Sequence, residues 1–229
     1  MQPLTRCTIG FVTSLGELNM SHALACRCGT LQGVVSDPGR AVRAICYCKD
    51  CQAFAHFLGR AKETLNDAGG TQVIGVLPSC VTFTAGLPAL ACMRLTDKGL
   101  LRWYASCCNT PIANTLPRSK VSHVGLIAPG LLGAGASLDA FAPICAHVNS
   151  AGATRPVAAD RLATVSVLLR YIGLFARTYF GGAYKLSPFF NATTGAPSVT
   201  PTVLTAAELD ALRGKVSAQS STRCPNGTT

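Results

Sequence analysis

The chain has 229 residues, 48% of them apolar, with 22 Gly and 13 Pro. That composition supports a sizeable core crossed by many turns and excludes disorder throughout. Its formal charge of +10 is spread over 14 Arg and 6 Lys with no run of five like charges, which argues against a polybasic tail or a specific nucleic-acid surface.

Residues 1–20 show no clear period and read as a poorly ordered N-terminal extension, with Cys7 a bystander. They lack the basic start and cleavage site of a signal peptide. The apolar stretch at 124–148 is broken by Pro129, Asp139 and Pro143. The one at 162–180 carries Arg170 and Arg177, at about 2.5–3.5 kcal/mol each near the centre of a membrane helix. The expectation is a soluble cytoplasmic protein without membrane association. In a reducing compartment, clustered cysteines read as metal ligands rather than disulfides.

From residue 21 the text becomes organised. Residues 22–29 form a short extended run ending in Gly29, which permits a positive-φ turn, and residues 31–35 continue as a strand to the turn signal Asp37-Pro38-Gly39. Residues 41–45 lead into Cys46-Tyr47-Cys48-Lys49-Asp50-Cys51, followed by a short helix or turn at 52–58. Strands are expected at 73–77, 81–85, 90–95 and 100–105, separated by Pro, Gly and an Asp97-Lys98-Gly99 turn. Cys107-Cys108-Asn109-Thr110-Pro111 comes directly off the last of these, and another strand is expected at 123–128. Residues 156–179 have a helical period in Leu162, Val165, Leu169 and Ile172, a stripe that serves as core or docking surface. Extended wraps at 187–190 and 200–204 precede Thr205-Ala206-Ala207-Glu208, a capping box opening a helix to Arg213. The last fifteen residues are polar and expected to fray. The fold class is therefore mainly β, α+β overall. A sheet domain at 21–128 carries a helix-containing C-terminal extension, 129–229, packed on it.

Cysteine spacing carries the chemistry. Side chains alternate along a strand, so Cys46 and Cys48 share a face, and a turn at Lys49-Asp50 brings Cys51 back to the same point. Three sulfurs at one point are more than a disulfide uses and suit a thiolate-binding metal, usually Zn²⁺. Closed structural sites have four protein ligands, so three leave a position open. Cys26 and Cys28 also share a face, and strand ends can bring Cys107 and Cys108 to them.

The order Cys26-x-Cys28-Gly29, Cys46-x-Cys48-x-x-Cys51, Cys108-x-Thr110-Pro111 resembles the glutathione-dependent formaldehyde-activating enzyme and centromere protein V family across about residues 22–127. The resemblance implies a β-tent-like fold with two zinc sites. Cys26, Cys28 and Cys108 would belong to the structural site, with Cys107 available to complete it. Cys46, Cys48 and Cys51 would hold the active-site zinc with an open fourth position. It also implies a carbon–sulfur lyase-type activity on a glutathione–aldehyde adduct or a related small thiol substrate. The departures are Ala105 in place of a cysteine ligand, Asn109 in place of a glycine, and Tyr47 in place of a frequent His. If Cys107 does not join, the structural site has three sulfurs or borrows Cys80 or Cys92; for the triplet, His56 or Cys80 is the candidate fourth. Lys49, Arg27, Arg43 and Arg60 lie close enough in sequence to meet glutathione carboxylates, though each also reads as an ordinary surface charge. The alternative function is a noncatalytic zinc-stabilised binding module for a protein or acidic partner.

Overall fold

A computed structural model describes residues 20–121, 123–133, 136–158 and 161–221; the expectations for residues 1–19, including Cys7, lie outside them. The fold is mainly β, with eleven strands in two sheets and five α-helices among the described residues. The small sheet has the order β1-β2-β5, from β1 (Ser21–Ala25), β2 (Gln32–Ser36) and β5 (Val81–Ala85), all antiparallel. The large sheet runs β10-β3-β4-β9-β8-β7-β6-β11. Its six inner strands are β3 (Val42–Cys46), β4 (Thr71–Val76), β6 (Leu90–Arg94), β7 (Leu101–Ala105), β8 (Thr110–Thr115) and β9 (Val124–Ile127), and they pair antiparallel.

Both outer strands come from the C-terminal part of the chain. β10 (Ile144–Val148) lies parallel to β3, and β11 (Thr202–Val203) parallel to β6. Edge strands present unpaired amides and carbonyls, and here the C-terminal hundred residues cover the edges at β3 and β6. The extension is therefore woven into the sheet.

Period-two alternation decides what each face of the large sheet meets. Along β7, Leu101, Trp103 and Ala105 face the small sheet and join Leu24, Leu31, Val35 and Val81 in the main core. Arg102 points to the opposite face, beneath helix α1 (Lys49–Phe57) and helix α5 (Ala206–Ser221); there Phe54 and Leu58 pack with Met93, Leu95, Leu209 and Leu212. Helix α2 (Ala61–Thr64) follows α1, and the short α3 (Ala128–Leu131) follows β9. Helix α4 (Arg161–Phe180) lies on Val42, Ala44, Cys145 and Ala146 through Val167 and Leu174.

Several elements differ from the sequence-based expectation. β8 and β10 carry no clean apolar alternation and were not anticipated. The capping box forms as expected: Thr205 N–H donates to the Glu208 carboxylate at 2.8 Å and Glu208 N–H donates to the Thr205 hydroxyl at 3.3 Å. Helix α5, however, runs past Arg213 to Ser221, because Leu209, Leu212 and Val216 dock on α1 and the sheet. Residues expected to fray are thus helical as far as 221. The stripe Leu162, Val165, Leu169, Ile172 faces solvent, and it is the intervening Val167, Leu174 and Thr178 that are buried.

The wrap at 187–190 inserts Phe189 into the main core, with its ring 5.0 Å from Trp103 and 5.5 Å from Phe83. Phe189→Ala should therefore cost about 3–5 kcal/mol, measured by urea unfolding. A loss under about 1 kcal/mol would mean that the C-terminal part does not complete the core.

Candidate metal centres

Two thiol clusters form, each from residues that turns place together. In the first, Cys26 and Cys28 occupy the loop between β1 and β2, where Gly29 adopts φ 76°. Cys107 and Cys108 occupy the turn between β7 and β8, which closes on Asn109 at φ 54°. Asparagine is the residue after glycine that best tolerates the left-handed region. Because the backbone turns at 106–109, the two adjacent cysteines need not diverge as they would in a strand. The sulfurs stand 3.5 Å (Cys26–Cys28), 3.7 Å (Cys26–Cys107), 3.3 Å (Cys28–Cys107) and 3.9 Å (Cys107–Cys108) apart.

Four thiolates about 2.3 Å from a tetrahedral Zn²⁺ are separated by about 3.8 Å, so this donor set fits zinc in both type and spacing. Surrounding bonds hold the loops in place. Leu31 N–H donates to Cys26 Sγ (3.2 Å), and Arg27 N–H donates to the Thr110 hydroxyl (3.0 Å). Arg60 donates from Nε and Nη2 to the Cys108 carbonyl at 3.2 and 2.9 Å. The Thr30 hydroxyl and backbone beside Cys28 lower its thiol to about 6, the direction a metal ligand needs. The cluster joins a loop of the small sheet to a turn of the large one. Cys80 and Cys92 are not in it. Cys92 lies in the main core, where burial pushes its thiol up to about 12.

The second cluster sits where β3 gives way to α1. Cys46 ends the strand, Cys48 is the N-cap of the helix, and Cys51 is in its first turn, with Cys51 N–H donating to Cys48 Sγ at 3.3 Å. The three sulfurs lie within 4.8 Å of one another. Cys51 is buried, while Cys46 and Cys48 are partly open to solvent. Hydrogen bonds from Cys48 and Cys51 hold the Cys46 thiol far below its usual range, with a further bond from Asn149 Nδ2 (3.3 Å). Cys48 and Cys51 are correspondingly pushed up, Cys46 being the first cause in each case. A helix N-terminus also favours thiolate. Three sulfurs at this separation fit a single metal ion. Among the described residues no fourth His, Cys, Asp or Glu joins them; neither His56 nor Cys80 does.

Arg102, Asn149 and Gln52 were not anticipated. Arg102 is 2% exposed. It reaches Asn114 Oδ1 at 3.3 Å, Cys51 Sγ at 3.9 Å and Asp50 at 4.0 Å, and lies 5.4 Å from the Phe54 ring centroid. A buried guanidinium requires such partners, and this one places positive charge against the thiolate group. Its signal in the sequence was an arginine alternating with Leu101 and Trp103. Asn149, in a left-handed conformation just after β10, brings the C-terminal part of the chain onto Cys46. Gln52 donates to the carbonyls of Tyr47 and Gly152 at 2.9 Å each, which locks that loop to the triplet.

Of the four cations singled out from sequence, Arg60 is engaged with Cys108 and Glu63, and Arg43 with Leu138 O and the Gln72 side chain. Arg27 and Lys49 are exposed, Lys49 directly beside Cys48.

A family profile described as "Family of unknown function (DUF6151)" spans residues 19–200. The chain belongs to that family. The DUF6151 span contains all seven clustered cysteines, Arg102, Asn149 and α4, and ends before α5. No curated protein matches the chain. Among the described residues no helix is long and apolar enough to cross a membrane.

Two variants separate the clusters. Cys26→Ser should lower the thermal midpoint by on the order of 10 °C, because a metal held between the sheets would contribute to folding; scanning calorimetry reads it. Arg102→Leu should weaken metal binding at the triplet by about 10- to 100-fold and leave the four-cysteine cluster loaded, as measured by competition with a coloured chelator. Equal weakening at both clusters would contradict the role given to Arg102.

Proposed function

We propose that both clusters hold Zn²⁺, and that the triplet is an open site for a small thiol such as glutathione. The activity is of carbon–sulfur lyase type, making or breaking a thiol–aldehyde adduct. The observation that carries this reading is the difference in ligand count: four sulfurs in one cluster, and in the other three sulfurs that no fourth His, Cys, Asp or Glu among the described residues joins. The substrate class comes from the resemblance of the cysteine order to that of glutathione-dependent formaldehyde-activating enzymes.

Zinc held by three thiolates would supply a position where a substrate thiol ionises and a carbonyl oxygen is polarised. The chain's own residues do the rest. Cys46, Cys48 and Cys51 hold the site on a strand end and a helix start, so their spacing is set by rigid elements. Arg102 offsets the net negative charge of three thiolates from beneath. Asn149 fixes Cys46 from the side opened by β10. Lys49, exposed beside Cys48, is the cation placed to meet a substrate carboxylate. In the forward direction a thiolate lone pair attacks the aldehyde carbon, a carbon–sulfur bond forms, and the oxygen takes a proton from water. The reverse returns the electron pair to sulfur.

Metal analysis should give two zinc per chain, and Cys48→Ser one, with the fold retained. Zinc-edge X-ray absorption should show one light-atom ligand replaced by sulfur when glutathione is added. With ¹³C-formaldehyde and glutathione, exchange between free aldehyde and adduct followed by NMR should be accelerated by the wild type and not by Cys48→Ser. Two zinc ions, an unchanged absorption edge and no acceleration would make this a noncatalytic zinc-stabilised module.

A further inference from the structure

Helix α4 is apolar on two faces. One is packed on β3 and β10 through Val167 and Leu174. On the other, Leu162, Val165, Leu169, Ile172 and Tyr179 are 50–82% exposed, with Leu168 and Phe180 beside them. A helix that is apolar all round is normally covered all round. These seven side chains expose on the order of 700 Å², more than the roughly 300–600 Å² of the largest patch on a typical monomer and close to the roughly 800 Å² each partner buries in a standard interface.

The spacing indicates what covers it. Leu162, Val165, Leu169, Ile172, Ala176 and Tyr179 follow at alternating steps of three and four, the seam by which one helix packs against another. We propose that the chain forms a dimer with a second copy of itself, through antiparallel packing of α4 on α4. A closed two-fold pair must present the same patch to itself, and this stripe does so. With the two helices fully overlapped, Leu169 faces Ile172 of the second copy across the axis, Val165 faces Ala176, and Leu162 faces Tyr179. The small Ala176 leaves room for the branched Val165. Beyond Tyr179, the helix end borders a shallow apolar depression lined by Leu77, Ala176, Phe180 and Leu186. The start of the partner helix reaches that depression in the antiparallel arrangement alone.

Charge agrees with this orientation. Residues 161–207 contain no Asp or Glu, so no acidic side chain is available there to answer the exposed Arg177 of a parallel partner. Antiparallel packing separates the two Arg177 residues by about 20 Å along the axis. Each copy carries +10, so association driven by apolar burial tightens as salt screens their repulsion. Docking of the same stripe on anionic lipid would weaken with salt. The pairing is independent of what the metal centres do.

Sedimentation equilibrium of the full chain tests the pairing. The wild type should run at twice the 23.8 kDa chain mass and dissociate less as salt is raised. Leu169→Glu with Ile172→Glu should give the single-chain mass with unchanged circular dichroism and zinc content, since both positions are exposed. Val165→Glu alone should also dissociate. Adding Ala176→Lys to it should tighten the dimer at least tenfold, because positions 165 and 176 meet only between copies, once on each side of the axis. The proposal is overturned by a wild type that stays single at about 100 µM, whether or not it sediments with phosphatidylserine vesicles. It is equally overturned by a dimer that survives the double glutamate change, or by a Val165→Glu/Ala176→Lys chain no tighter than Val165→Glu.

Discussion

Four sulfurs meet where two separate ladders approach each other. The loop carrying Cys26 and Cys28 belongs to β1 and β2, and the turn carrying Cys107 and Cys108 belongs to β7 and β8; the thiols meet at 3.3–3.9 Å. Closing a loop of about eighty residues costs little more than closing one of forty. The requirement is therefore geometric: both turns must hold their shape. Gly29 and Asn109 satisfy it by taking left-handed backbone at the point where each loop reverses. The main core then fills the space between the two sheets, at one end of which the sulfurs meet.

The two clusters are also joined to each other. Helix α1 begins on Cys48 and Cys51, and the chain leaving it delivers Arg60 to the Cys108 carbonyl. The helix bridges the three-cysteine and four-cysteine clusters, and Phe54 and Leu58 fix it on the sheet between them. Arg102 stands beneath its first turn, touching Cys51, Asp50 and Phe54 together. The placement of the triplet therefore depends on a strand end, a helix start and a buried cation from a third strand.

Much of this was legible because sulfur spacing and turn residues are local signals. Cys26/Cys28 and Cys46/Cys48 follow period two, and Gly29 and Asn109 marked their turns. Strand β8 was hidden by Pro111 and Asn114. Proline is tolerated there because the β7–β8 register shifts between Trp103 and Tyr104, with Pro111 opposite Tyr104. Asn114 is paid no penalty for its burial, since its amide oxygen accepts from Arg102. Neither compensation can be seen without the partner strand. Strand β10 was hidden because its five residues are specified by parallel pairing to β3, a contact across a hundred residues. The stripe on α4 was legible as a stripe, but period alone does not say which of two apolar faces turns inward.

The C-terminal part resolves a difficulty that the sheet domain would otherwise have. Residues 42–127 end at β3 on one side and β6 on the other, and each would leave an open edge. β10 covers the first and, in doing so, carries Asn149 to Cys46 and Gly152 against Tyr47, where even a Cβ would collide with the Tyr47 carbonyl oxygen. β11 covers the second and leads into α5, which packs on α1. Each edge repair thus also supports one side of the triplet: one through its first cysteine, the other through the helix that carries its last. An edge-covering strand and a wall of the three-cysteine cluster are the same piece of chain, so residues beyond 128 shape that cluster as much as they complete the fold.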